Sequence, residues 1–132
     1  MRKITMDDYE WLIELGYEFN NKLFDVPLND DKMRRQTKML IENGVGFRSE
    51  HGAIIGYYVD DPVRDSTVLV EMGWYCTDRQ GIKLLNRFVQ QAVEDGADEV
   101  RMSTLEANTA AKLILERKGF RQLETSHSLR LG

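Results

Sequence analysis

The chain changes its hydrophobic period twice, and those changes mark out its elements. Near the N-terminus, Tyr9, Leu12, Ile13, Phe19 and Leu23 recur at the three- and four-residue spacing of one helical face. Thr5-Met6-Asp7-Asp8, just ahead, has the form of a capping box, with a hydroxyl to accept from a free helical N–H and an acid three residues on. Pro27 marks the exit into a loop. A second helix is predicted to start between positions 29 and 31, to carry Met33, Thr37, Leu40 and Ile41 on one face, and to stop at Asn43-Gly44.

The period then drops to two. Val45–Arg48 and positions 53–59 are rich in β-branched and aromatic residues and flank Ser49-Glu50-His51-Gly52, which predicts a hairpin. After Asp60-Asp61-Pro62, strict alternation over 67–75 would put Val68, Val70, Met72 and Trp74 on one face of a third strand. Leu69, Glu71, Gly73 and Tyr75 would lie on the other. The polar turn Thr77-Asp78-Arg79-Gln80-Gly81 leads into a helix over 82–94 with an apolar stripe of Ile82, Leu85, Phe88, Val89, Ala92 and Val93. Asp95-Gly96 ends it. A short strand over 99–103, a helix over 108–118 stopped by Gly119, and a final strand region over 120–131 complete the order. The strand-helix-strand unit implies a right-handed crossover with parallel pairing, and the hairpin adds antiparallel strands. The predicted fold class is therefore α/β, with a mixed sheet flanked by helices in one domain over residues 1–132.

Composition narrows the function classes. At 132 residues, 42% hydrophobic and 30% charged, the chain suits one soluble domain large enough to fold without disulfide or metal staples. The net charge is −4 and the basic residues are scattered, so nucleic acid is not an expected partner. No apolar run approaches the roughly 20 residues of a membrane helix, and Asp7, Asp8 and Glu10 interrupt any signal-peptide core. Cys76 is the only cysteine, which excludes an internal disulfide and fits a reducing compartment; the expectation is a cytoplasmic protein away from membranes. His51 and His127 lack metal-ligand spacing, so no metal is expected.

Where a strand ends in a glycine-containing turn and runs straight into a helix, free backbone N–H groups and the positive end of the helix dipole coincide, and such a spot suits a phosphate. The residues around that turn resemble a known family, the GNAT N-acetyltransferases, across positions 45–120. Gly52 at the hairpin turn and Gly56 in the following strand are similar to that family's second and third strands. Asp78-Arg79-Gln80-Gly81-Ile82-Lys83-Leu84-Leu85 resembles its phosphate-loop signature, Q/R-x-x-G-x-G/A followed by paired leucines. Asn108, Ala111, Gly119 and Phe120 fall where the family has Asn, Ala and a closing Gly-Phe. Aligned on Leu84-Leu85, Gly81 takes the final signature glycine, Arg79 the other and Cys76 the leading Gln/Arg; matched directly from Arg79, the loop is shorter than usual. The position four before Gly119, often a tyrosine in the family, is Leu115.

The resemblance implies acetyl-CoA as co-substrate. Its pyrophosphate would lie at Arg79, Gln80, Gly81, Ile82 and Lys83, and its pantetheine along the strand end at Trp74 and Cys76 beside Tyr75, with Asn108 contributing from the last helix. It further implies direct acetyl transfer to an amine of a small molecule or protein, with a base taking the amine proton and backbone N–H groups meeting the oxyanion. Glu71, an acid inside an apolar strand, is the candidate base, against a solvated strand face; Tyr75 is a candidate acid or orienting group, against simple packing. The acceptor would enter beside Trp11, Tyr17, Phe19 and the loop over 24–28, residues that an amphipathic helix also needs for its core. A GNAT-like binding protein without catalysis is the alternative, and pairing of the final strand with a second copy would give a homodimer.

Overall fold

The computed structural model describes all 132 residues. Its elements run β1 (Arg2–Lys3), a 3-10 turn (Met6–Asp8), α1 (Tyr9–Leu23), α2 (Asp30–Asn43), β2 (Val45–Arg48), β3 (Gly52–Asp60), β4 (Thr67–Cys76), α3 (Gly81–Glu94), β5 (Glu99–Arg101) and α4 (Thr109–Arg117). One mixed sheet holds the strands in chain order β1-β2-β3-β4-β5, antiparallel except for β4 with β5.

Both faces of the sheet are covered, which explains why β3 reads as a continuous run of Ala53, Ile54 and Ile55, all buried. On one face Phe47, Ile54 and Leu69 pack against Leu84, Leu85, Phe88 and Ala92 of α3 and Leu115 of α4. On the other, Ala53 and Ile55 meet Leu12 of α1 and Leu40 of α2. The N-terminal box forms as expected at Asp8, whose carboxylate accepts from the Thr5 N–H at 2.9 Å. It also binds both Arg2 guanidinium nitrogens, at 2.7 and 2.8 Å, and Arg48 at 3.0 Å. The Arg2 hydrogen bonds, joined by those from Thr5 and Arg48, hold this buried carboxyl well below the usual carboxylate range despite the opposing effect of burial.

Two expectations are corrected. Positions 120–131 do not form a strand: no backbone ladder bond involves them, and Leu129 and Leu131 are 83% and 85% exposed. Phe120 is the last residue packed on the core; beyond it only Leu123, Leu129 and Leu131 are apolar, too few to hold a strand on the outer edge of β5, which stays unpaired. The alternation of β4 also breaks. Ile55 pairs with Gly73 but Gly56 pairs with Glu71, leaving Met72 as an extra, bulged residue. Leu69 and Glu71 therefore share a face with Trp74 and Cys76, while Val68 and Val70 share the opposite face with Gly73 and Tyr75. Gly56 makes the bulge sterically feasible, since a Cβ there would lie 2.1 Å from the Val70 carbonyl oxygen.

Candidate functional site

The bulge, the end of β4 and the start of α3 lie in succession along the chain. β4 and β5 pair only over Val68 to Glu99, Leu69 to Val100 and Val70 to Arg101; β5 ends there while β4 runs on to Cys76. Past that point β4 has no neighbour on its β5 side, so backbone groups along 71–76 are left for another partner. The Glu71 carboxylate accepts from the Ser103 N–H at 3.1 Å, across the opening between the two strands. Burial raises its pKa to about 7, with the Ser103 hydrogen bond pulling the other way.

At the far end of β4, the chain turns through Thr77-Asp78-Arg79-Gln80. Arg79 holds φ at 61°, the one non-glycine residue in the left-handed region, and Gln80 follows near φ −95°, ψ 9°. A left-handed residue followed by a right-handed one turns successive N–H groups toward a common point. The first helical residues, Gly81, Ile82 and Lys83, have no intrahelical acceptor for their N–H groups, no acid stands in this first turn, and Gln80 makes no side-chain cap. The Arg79 and Lys83 side chains form no ion pair or hydrogen bond within the fold. Asp78 faces the same turn, its carboxylate accepting from the His51 N–H at 2.8 Å and the Gln80 N–H at 3.3 Å. It ties the hairpin to the turn and occupies one of the donors there.

Gly81 serves a different purpose from the one its place in the signature suggests. The unusual dihedral belongs to Arg79, whereas Gly81 lies within α3, where an added Cβ would sit 3.2 Å from the Cys76 sulfur. Its carbonyl accepts from the Trp74 indole N–H at 3.0 Å. Gly81, Trp74 and Cys76 thus pack the helix closely on the strand end. Ile82 is exposed at the same turn. Asn108 caps α4, its side chain accepting from the Ala111 N–H at 3.1 Å. Leu115, where a tyrosine hydroxyl would stand, is buried among Leu84, Leu85 and Phe88.

Tyr75 lies on the α1 face. Its ring meets Phe19 edge-on at 5.4 Å, with the Lys22 ammonium 5.9 Å from the ring centroid. Together with Phe19 it lines a cavity of about 560 Å³ enclosed by α1, α2, the loop through Phe24, Pro27 and Leu28, and the β4 segment Met72 to Tyr75. Glu71 is on the opposite face by register, so the two candidate catalytic side chains approach the bulge from different sides. Of the aromatic residues expected beside an acceptor, Phe19 and Phe24 line this cavity. Trp11 and Tyr17 do not: Trp11 lies under the Arg48 guanidinium, 3.5 Å from its centroid, and the Tyr17 hydroxyl donates to Asp30. Sequence reasoning missed Asp78, Ser103 and the cavity wall of α2, because none carries a local signal; each matters through a contact more than 20 residues away in the chain.

No protein-family model matches the sequence, and no curated protein matches it either. Solved structures do match over the whole chain. A probable acetyltransferase superposes with a TM-score of 0.78 at 19% identity, covering 100% of this chain and 99% of its own. AAC(6')-Iy, solved in complex with the bisubstrate analogue CoA-S-monomethyl-acetylneamine, gives 0.74 at 17% identity, covering 99% and 96%. An aminoglycoside acetyltransferase from an uncultured soil metagenomic sample, solved with sisomicin, gives 0.71 at 15% identity, covering 98% and 95%. At these identities the likeness shows the fold, which is that of the GNAT acetyltransferases.

Proposed function

We propose that the chain is an acetyl-CoA-dependent N-acetyltransferase that transfers the acetyl group directly to a primary amine. The observation that carries this reading is the succession along β4 of an unpaired strand edge, a bulge at Met72 and a helix start with free N–H groups at Gly81, Ile82 and Lys83. Those groups, with the unpaired cations of Arg79 and Lys83, fit a pyrophosphate. The open edge of β4 fits an extended pantetheine with amides of its own, running past Trp74 and Cys76. One fold neighbour was solved in complex with a CoA bisubstrate analogue, which supports this reading.

The thioester supplies an activated acetyl carbon. Glu71, poised near neutral pH, takes the proton that the amine loses on attack, and backbone N–H groups freed at the bulge meet the developing oxyanion. Tyr75 orients the acceptor from the cavity side. Titration of acetyl-CoA against the protein, followed by thermal unfolding, tests the reading: a ligand at 100 times its Kd adds about 2.7 kcal/mol of stability. Absence of any shift at low-millimolar acetyl-CoA overturns it.

One observation favours a second reading, a CoA-binding protein without turnover. Leu115 is a packing residue, so no hydroxyl stands there to protonate the leaving thiolate. Acetyl-CoA binding without thiol release in the presence of any amine would establish that reading instead.

A further inference from the structure

The cavity beside Met72 has a chemical character of its own. Twelve of its 20 lining residues are hydrophobic, and no carboxylate lines it. Three of its polar residues are already engaged with the local backbone: the Asn20 amide donates to the Val26 carbonyl, Asn29 accepts from the Lys32 N–H, and the Thr37 hydroxyl donates to the Met33 carbonyl. That leaves Gln36, Lys32 and the Tyr75 hydroxyl as the polar groups free to meet a ligand, and Lys32 is the sole charge on the wall. Lys32 has no ion-pair partner in the fold. The adjacent Asp31 makes no ion pair with it, and Asp30, one residue further back, is taken by the Tyr17 hydroxyl at 2.6 Å and by Arg34 at 2.9 Å. A second unpaired cation, Lys22, stands over the Tyr75 ring that lines the same cavity.

A site for a polyamine or an aminoglycoside needs carboxylates to offset several ammonium groups, because desolvating unpaired charge is costly. This cavity offers the reverse, an apolar wall and an uncompensated positive rim. We infer that the acceptor is a free apolar α-amino acid, with its side chain against the α1 and α2 wall and its carboxylate paired with Lys32. The volume, about 560 Å³, lies within the range of small-molecule sites. This inference rests on the acetyltransferase reading for its chemistry: the neutral amine nitrogen bonds to the acetyl carbon, the carbon–sulfur bond breaks, one amine proton passes through water to Glu71 on the other side of the bulge, and CoA leaves as the thiolate, which takes a proton from solvent. The binding preference itself needs no turnover.

Two arms test it. In the first, thiol release from acetyl-CoA is measured with L-phenylalanine, L-methionine, 2-phenylethylamine, spermidine and kanamycin. The amino acids are expected to exceed 2-phenylethylamine in kcat/KM by about two- to fivefold, the worth of one exposed ion pair, and the polycations to give no turnover. Lys32→Ala should collapse the ratio between phenylalanine and 2-phenylethylamine, and Lys32→Arg should restore it. Equal rates for those two amines, a ratio indifferent to Lys32, or turnover of the polycations would overturn the assignment. In the second arm, binding of N-acetyl-L-phenylalanine is followed by Trp74 fluorescence and calorimetry in wild type and Lys32→Ala. Lys32-dependent binding supports the assignment even if acetyl-CoA fails to bind, which would sink only the transferase reading. Absence of binding to the wild type overturns it.

Discussion

Glu71 links stability and chemistry through one proton, and Glu71→Gln separates the two. The carboxyl is raised from its ordinary 4.5 to about 7, chiefly by burial. Between those values the folded protein holds a proton that the unfolded chain has lost, so stability falls as pH rises through the window. At 1.36 kcal/mol per pH unit, the full loss above pH 7 is on the order of 3 kcal/mol. Glutamine cannot ionise, yet its carbonyl can still accept from the Ser103 N–H. The variant should match wild type at pH 5 and exceed it by about 2 to 3 kcal/mol at pH 8. Urea unfolding at pH 5, 6, 7 and 8, at constant ionic strength, measures this directly, because every other titrating group cancels in the difference between the two proteins. A difference that does not grow with pH would refute the half-buried, raised carboxyl. Activity gives a second, independent readout. As general base, Glu71 predicts a kcat/KM that rises with pH and levels off above about 7, and a loss of about 10² to 10⁴-fold in the glutamine variant. A stabilised variant with full activity would remove Glu71 from catalysis while leaving its burial intact.

Arg79→Gly relieves a left-handed side chain worth about 1 to 2 kcal/mol and adds about 0.5 to 1 kcal/mol of chain entropy to the unfolded state, so the variant should gain roughly 0.5 to 1 kcal/mol. Its affinity for acetyl-CoA should nonetheless fall several-fold by calorimetry, since the guanidinium is unpaired in the fold and belongs to the turn proposed for the phosphates; tighter binding would mean that the side chain obstructs them. Asp8→Ala leaves the Arg48 guanidinium, only 17% exposed, without its carboxylate and should cost about 2 to 3 kcal/mol at pH 7 by denaturant unfolding. Because the Asp8 carboxyl is held low, this contribution is present above its unfolded pKa and lost as pH falls, so the gap between variant and wild type should close in acid.

What the sequence made legible is what short-range physics decides. α2 starts within positions 29–31, Gly119 ends α4 with φ at +93°, and Leu85, Phe88, Val89 and Ala92 of the α3 stripe pack on the sheet, although its ends, Ile82 and Val93, are exposed and Leu84 takes a core place instead. The faces of β4 were not legible, because its parity is reversed at Met72 by a close approach of Gly56 to the Val70 carbonyl on the neighbouring strand, a distance no pattern within β4 encodes. The final strand failed for a simpler reason: Leu123, Leu129 and Leu131 are the only apolar residues beyond Phe120, too little buried area to hold a strand on the open edge of β5. The candidate site divides along the same line. A strand, a turn and a helix in immediate succession can be read from neighbouring residues, so the turn at 77–81 was found. The role of each residue within it was not, because a glycine there suits either a left-handed turn or a close approach, and the fold placed the left-handed conformation at Arg79. Gly81 instead packs α3 on the end of β4, where an added Cβ would sit 3.2 Å from the Cys76 sulfur and its carbonyl accepts from the Trp74 indole. A residue type that satisfies two demands cannot reveal from sequence which one it meets, and at this turn the packing demand governs.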